Sequence, residues 1–399
     1  MHKRSALPAR KIVGTALAAG LAATALAAVP GTATAAEGSI LGAGARNTVK
    51  DSYLVVLKDD TMARGVVERR KASLVKRYGG KAGHTYSSAL TGFSVRMTEK
   101  QAKRLAADPA VAYVEQDAEA SLQAVSSWGL DRVDQRSLPL NAAYSAPNTG
   151  SGVTAYVIDT GIRTSHTQFG GRASWGTNTI DTNNTDCHGH GTHVAGTVGG
   201  ASYGVAKGVK LVGVKVVNCA GGTTTTAIAA GIDWVARNAV KPAVANMSLK
   251  YPSPAVATAV RNSVASGIVN VAAAGNDYGY DACNVIPANV PEAITVGSTT
   301  RSDVKSDFSN IGPCIDIFAP GSDIVSAGFT SNTASATMSG TSMAAPHVTG
   351  AAALYLSANR TATPAQVEAA LKNNATKGKV TGVGAGSPNN LLYTGFIGQ

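Results

Sequence analysis

Six short apolar runs, separated by helix-length segments, constrain the fold of residues 123–399 more than any other feature. They are 152–158, 211–217, 243–249, 268–274, 293–297 and 315–318. The first, dense in Val, Ile, Ala and Tyr, reads as a strand buried on both faces, as in the interior of a parallel sheet. Between the runs, 223–238 and the stretch ending at 261–267 read as helices. Strands alternating with helices at this spacing predict an α/β fold: a doubly wound, mostly parallel sheet with helices on both faces. The chain's 44 glycines suit tight loops in such a fold and are too many for a helical bundle. Right-handed crossovers bring the C-terminal ends of the strands to one edge.

Four chemically capable residues fall on that edge. Asp159 ends the first run, before Thr160-Gly161, and Asn276 follows the fourth run in Gly275-Asn276-Asp277. His190 and Ser342 each stand at a glycine-led helix start, in Gly189-His190-Gly191-Thr192-His193 and in Ser339-Gly340-Thr341-Ser342-Met343. Each has a local explanation when taken alone. An aspartate before a turn glycine and a serine before a helix are ordinary capping residues. His188, His190 and His193 beside Cys187 suggest zinc, but lack both the H-x₃₋₅-H spacing with a paired C-x₂₋₄-C and an HExxH glutamate. Together they make a catalytic set. The Ser342 hydroxyl is the nucleophile and the His190 imidazole its base, because imidazole titrates near neutral pH. Asp159 orients the ring, while Asn276 and the Ser342 N–H face the oxyanion of a tetrahedral intermediate.

The first third of the chain is organised differently. A basic start (Lys3, Arg4, Arg10, Lys11), an alanine-rich run over 12–29 and Ala33-Thr34-Ala35-Ala36 have the layout of a secretory leader, residues 1–36. The competing reading, a membrane anchor, suits this short alanine-rich run poorly. No later stretch is long and apolar enough to span a bilayer, so a secreted, extracellular product is expected. Strand-like segments at 52–58, 89–97 and 111–115 and helices at 61–78 and 98–107 then predict a small β-α-β-(β)-α-β unit, residues 37–122. So small a unit has a thin core and benefits from packing on something larger, although independent folding is also open. The net charge of +11 invites a nucleic-acid partner, but residues 1–122 hold 18 Lys and Arg against 10 Asp and Glu, whereas 123–399 hold 17 against 14. The basic excess lies outside the larger segment, and nucleic acid is excluded as its partner.

Three segments resemble the subtilisin-like serine proteases: Val157-Ile158-Asp159-Thr160-Gly161, His190-Gly191-Thr192-His193-Val194-Ala195-Gly196, and Gly340-Thr341-Ser342-Met343-Ala344-Ala345-Pro346. Ala273-Ala274-Gly275-Asn276 adds a fourth. Trp128-Gly129-Leu130-Asp131-Arg132 and Gly204-Val205-Ala206-Lys207 are similar to the proteinase K branch, especially its aqualysin-like members. The resemblance implies a secreted serine endopeptidase over 123–399, acting through an acyl-enzyme on protein and peptide substrates as a monomer. It also implies that 37–122, ending in Asp108 to Asp117, is a chaperone-like propeptide that inhibits its own protease until self-cleavage near 119–125.

Further features are implied only by that resemblance. The four cysteines would pair as Cys187–Cys219 and Cys283–Cys314. Gly222, Thr223, Ser248, Leu249, Ala273 and Gly275 would bind an extended substrate by its backbone. Structural calcium would be held by Asp316 with the carbonyls of Pro291 and Ala293, and by Asp131, Asp134 and Gln135. From residue type alone, a solvated turn or helix cap explains the latter three more readily than a hard-cation site, and it is the resemblance that favours the cation. A third family calcium site meets Lys379 here and should not bind. Lys250 and Tyr251 stand where the family usually has glycines, which leaves the substrate preference open. Two other readings, a silent binding protein on the same fold and an esterase, are disfavoured by the intact catalytic set and by the absence of a G-x-S-x-G elbow around Ser342.

Overall fold

The computed structural model describes residues 36–44, 48–58, 63–120, 128–250 and 252–398. Except for Ala36, the expected leader lies outside them, as does most of the expected self-cleavage segment. The predicted doubly wound sheet is present, with nine strands. From one edge to the other they are Thr376–Lys377, Asn390–Leu391, Ile317–Pro320, Ile294–Thr299, Val269–Ala273, Ala243–Met247, Thr154–Asp159, Lys210–Lys215 and Ala173–Asn178. Every neighbouring pair is parallel except the first. All six apolar runs form strands of this sheet, displaced by no more than two residues at either end.

Strand Thr154–Asp159 is buried at every position and pairs with Ala243–Met247 on one side and Lys210–Lys215 on the other. The chain first fills the sheet on the Lys210–Lys215 side and then crosses to build the remainder. Thr154–Asp159 is therefore the topological switch point, beyond whose C-terminal end an open α/β sheet forms its crevice. Asp159 is its last residue.

Helix Thr341–Ala358 packs over the middle of the sheet, with all but three of its 18 residues buried. Pro346 lies inside it, and an interior proline costs about 3 kcal/mol. Fully burying Met343, Val348, Leu354 and Leu356 is worth about 1.5–3 kcal/mol each, so packing outweighs the defect. Alanines at 344, 345, 351, 352 and 353 allow the helix to approach the strands closely.

The N-terminal unit is the predicted α+β fold. Its sheet runs Ile40–Leu41, Val111–Ala120, Thr48–Leu57, Thr91–Arg96, Lys81–Ser87, with helices Arg64–Tyr78 and Glu99–Ala106. Thr98 caps the second helix through a reciprocal box with Gln101, as its position at the predicted start requires. The unit has a core of its own around Tyr53, Val55, Phe93 and Leu105, yet Leu54, Tyr86 and Leu90 share a second core with Ile228, Val256 and Val260 of the larger domain. It is packed against the larger domain as anticipated. Oδ1 of Asp233 accepts the backbone N–H groups of Ser87, Ser88 and Ala89 at 3.1, 2.7 and 3.0 Å. Among the elements that escaped the sequence reading are the half-buried edge strand Ala173–Asn178, helix Pro364–Asn374, strand Lys81–Ser87 and the antiparallel pair Ile324–Ala327 and Ser335–Met338.

Candidate active site

Asp159 is fully buried at its strand end, and its two carboxylate oxygens lie 2.8 and 2.9 Å from Nδ1 of His190. That contact places the ring proton on Nδ1 and leaves Nε2 as the basic nitrogen. His190 opens helix His190–Gly199. Gly189 before it has φ +104°, and a Cβ there would come within 2.3 Å of the Phe329 ring. Asp186 fixes the helix start by accepting from the N–H groups of His188, Gly189 and Thr192 at 3.0, 2.7 and 2.9 Å. The sequence reading did not single out Asp186; an acid four residues before a helical histidine is its only local signal. The three histidines do not converge on a point. His193 turns its Nε2 to the Ile324 carbonyl at 2.9 Å, and burial pushes its pKa down to about 3, so it stays neutral.

Ser342 is the second residue of helix Thr341–Ala358 and is 3% exposed. Its Oγ donates to the Ser248 carbonyl at 3.3 Å. The helix defect explains what lies beneath it. Residue 346 would normally donate its N–H to the Ser342 carbonyl, but proline has none. The Ser248 hydroxyl supplies the missing donor at 2.8 Å. Ser248 in turn accepts from Asn246 Nδ2 at 2.9 Å, and Asn246 Oδ1 accepts from Thr349 at 2.8 Å. This buried chain bolts the turn that carries Ser342 to the end of strand Ala243–Met247.

On the other flank, Asn276 Oδ1 accepts the N–H and the hydroxyl of Thr341 at 2.8 and 2.9 Å. An acceptor must face those donors, so the amide NH₂ points the other way, as an oxyanion donor requires. Thr341 also accepts from the Gly275 N–H at 3.1 Å. Asn276 and Ser342 are thus one hydrogen-bonded residue apart.

The residues expected to form the substrate edges are placed as follows. Thr223–Thr224 forms a short strand, and the Gly222 N–H is held by Asn218 Oδ1 at 2.9 Å. Opposite lie buried Ser248 and Leu249, with Ala273 and Gly275 on the neighbouring strand's extension. The Thr223–Thr224 edge is already occupied: Glu119 and Ala120 pair antiparallel with Thr224 and Thr223. The N-terminal unit therefore ends its last strand on the edge expected to hold substrate.

Both expected disulfides are formed, Cys187–Cys219 and Cys283–Cys314, with Cα separations of 4.9 and 5.2 Å. The first ties the loop entering His190 to the end of the following strand. The residues expected to hold calcium differ between the two groups. Asp131 accepts the N–H groups of Asn141 and Ala142 at 3.1 and 2.8 Å, and Asp134 that of Ser145 at 2.6 Å. Asp134 Oδ1 and Gln135 Oε1 are buried and have no hydrogen-bond partner. Two orphaned oxygen acceptors beside a second carboxylate fit a hard cation. At Asp316, by contrast, Lys372 Nζ lies 2.6 Å from Oδ1 and the Thr295 N–H 2.9 Å from Oδ2. The same ammonium also pairs with Glu368 at 2.8 Å, so a lysine is already bound where an added cation would meet Asp316, and the fit is poorer.

Residues 150–389 match the subtilase family, and residues 50–123 match peptidase inhibitor I9. The chain is 47% identical over 390 residues to an extracellular serine proteinase of Thermus sp. (strain Rt41A), covering 92% of this chain and 95% of that protein. It is 40% identical over 383 residues to a cuticle-degrading serine protease of Arthrobotrys oligospora, covering 90% and 93%. Among solved structures, a cold-adapted subtilisin-like serine proteinase is 52% identical, with a TM-score of 0.65 over 67% of this chain and 98% of that one.

Proposed function

The chain belongs to the subtilase family, and from that premise we propose that Ser342, His190, Asp159 and Asn276 carry its chemistry. The protein is a serine endopeptidase with an inhibitory propeptide, matured from a proenzyme. In the proposed cycle, the Ser342 hydroxyl swings from the Ser248 carbonyl toward His190, which takes its proton at Nε2. The oxygen attacks the substrate carbonyl, and Asp159 stabilises the imidazolium. Asn276 and the Ser342 N–H hold the oxyanion, the side-chain donor alone being worth about 3–4 kcal/mol. The protonated His190 passes its proton to the leaving amine, and a water activated by the same ring hydrolyses the acyl-enzyme.

The carrying observation is the buried Asp159–His190 pair at the switch point, and it is supported by the chain's own residues 119–120, which pair as a strand with Thr223–Thr224. Self-cleavage falls just beyond that strand, before Trp128, which divides the chain into leader 1–36, propeptide 37–122 and peptidase 123–399. The mature product is a secreted monomer. Asp131, Asp134 and Gln135 would hold a calcium ion, whose contribution is to neutralise a buried carboxylate and not to take part in the reaction. The decisive test is N-terminal sequencing and intact mass of the secreted product, wild type beside Ser342→Ala. Wild type starts near residue 123, and the variant keeps its propeptide covalently attached. Identical cleavage of both would assign maturation to another protease.

A further inference from the structure

The walls on either side of Ser342 are joined by a charge pair. Strands Ala243–Met247 and Val269–Ala273 are backbone-paired up to Met247 and Ala272. Beyond that point they separate, 248–250 passing one side of the nucleophile and 274–277 the other. Ser248 touches Ser342, and Asn276 touches Thr341. Across the gap, Lys250 Nζ forms an ion pair with Asp277 Oδ1. The two members are not equivalent. Asp277 is anchored from behind by fully buried Asn310, which accepts the Asp277 N–H at 2.8 Å and lies 3.2 Å from Oδ2 through its Nδ2. Asn310 also donates to the Ala274 carbonyl at 2.9 Å, so this carboxylate is built into the wall. Both side chains are about one-third exposed, but Lys250 reaches over from the opposite wall on a flexible stem.

This gap receives a particular part of the substrate. The acyl side of a bound peptide runs along the Thr223–Thr224 edge, as residues 119–120 do. With the scissile carbonyl oxygen at Asn276, the side chain of the residue that donates that carbonyl enters between 248–250 and 274–277. We propose that the Lys250–Asp277 pair determines which side chain the enzyme accepts immediately before the scissile bond. It is a self-neutralised strap that favours uncharged side chains and rejects both charges. An acidic side chain meets anchored Asp277, and a basic one meets Lys250. The chain's own sequence agrees: from Ser121 to Ser127, the segment proposed above to be cut in maturation, every residue is uncharged. The inference rests on the assignment of Ser342 and Asn276 proposed above.

The test uses three tetrapeptide anilides that differ only in the last residue, Gln, Glu or Lys, with the mature enzyme, Lys250→Met and Asp277→Asn. Wild type prefers Gln to either charged residue by about tenfold in kcat/KM, which corresponds to about 1.4 kcal/mol. The Glu-to-Lys ratio within one preparation is independent of the active fraction. It falls about tenfold in Lys250→Met, where Asp277 is left uncompensated, and rises about tenfold in Asp277→Asn. Ratios within twofold of wild type in both variants overturn the proposal, as does a wild type that prefers a charged residue. If only one variant is obtained folded, its ratio decides alone. If wild type cleaves none of the three, the catalytic assignment fails and not the strap.

Discussion

Replacing Glu115 by glutamine should flatten the pH dependence with which the propeptide holds its protease. Glu115 lies on the propeptide's last strand and is 2% exposed. Its Oε2 accepts the Ala255 N–H at 3.0 Å, at the start of helix Pro254–Ala265. Burial pushes its carboxyl up to about 7 from the ordinary 4.5, although Ser253 and Ala255 pull the other way. Asp117 on the same strand caps helix Thr225–Asn238 through Thr226 and is also raised by burial. An acid whose pKa is raised on docking takes up a proton as the complex forms. Glu115 therefore supports the complex fully below pH 4.5, where docked and free forms are both protonated. That support is lost as pH climbs to about 7 and stays constant above it. At about 1.36 kcal/mol per pH unit the loss is about 3 kcal/mol, or on the order of 100-fold in Kd. Asp117 acts with the same sign, so Glu115→Gln reduces the slope without abolishing it. The assay dilutes the self-cleaved complex into buffers from about pH 5 to pH 9. At each pH, activity on a short peptide is divided by that of propeptide-free enzyme. Wild-type and Glu115→Gln complexes that loosen with the same pH slope would refute this account, and so would a wild-type complex that tightens with rising pH.

Two smaller perturbations test the scaffold under the site. Ser248→Ala removes the donor that replaces the missing Pro346 N–H and leaves the Ser342 carbonyl buried and unsatisfied. The expected cost is about 1–3 kcal/mol in urea-unfolding stability of the mature enzyme, together with a lower kcat; an unchanged midpoint and kcat would remove the bolt from the mechanism. At the other site, a chelator should lower the wild-type Tm, and Asp134→Asn should lose most of that response. Saturation at 100 times Kd is worth about 2.7 kcal/mol, and identical Tm values with calcium and with chelator would empty the Asp131–Asp134–Gln135 site.

What could be read from the chain alone were features whose cause is local. An apolar run that stops abruptly marks a strand end, and that alone puts Asp159 and Asn276 on one rim. Glycine before His190 and Ser342 marks two helix starts, and Thr98 marks a third as its N-cap. The strand Ala173–Asn178 was missed because an edge strand buries half its surface and its residues Ser-Trp-Gly-Thr carry no period. Polar partners were missed for a different reason. Asp186 can be recognised as a cap only once the following turn is folded, and Asn246 means nothing until Thr349, 103 residues away, stands above it. The strongest case is the tail of the propeptide strand. Read in sequence, Glu115, Gln116 and Asp117 look like a polar end where a strand gives way to solvent. In the fold Glu115 and Asp117 are nearly sealed and cap two helices more than 100 residues downstream. Local pattern therefore locates catalytic groups that sit at the ends of elements. It is blind to the charges through which one domain holds another, because those charges acquire their meaning only from burial.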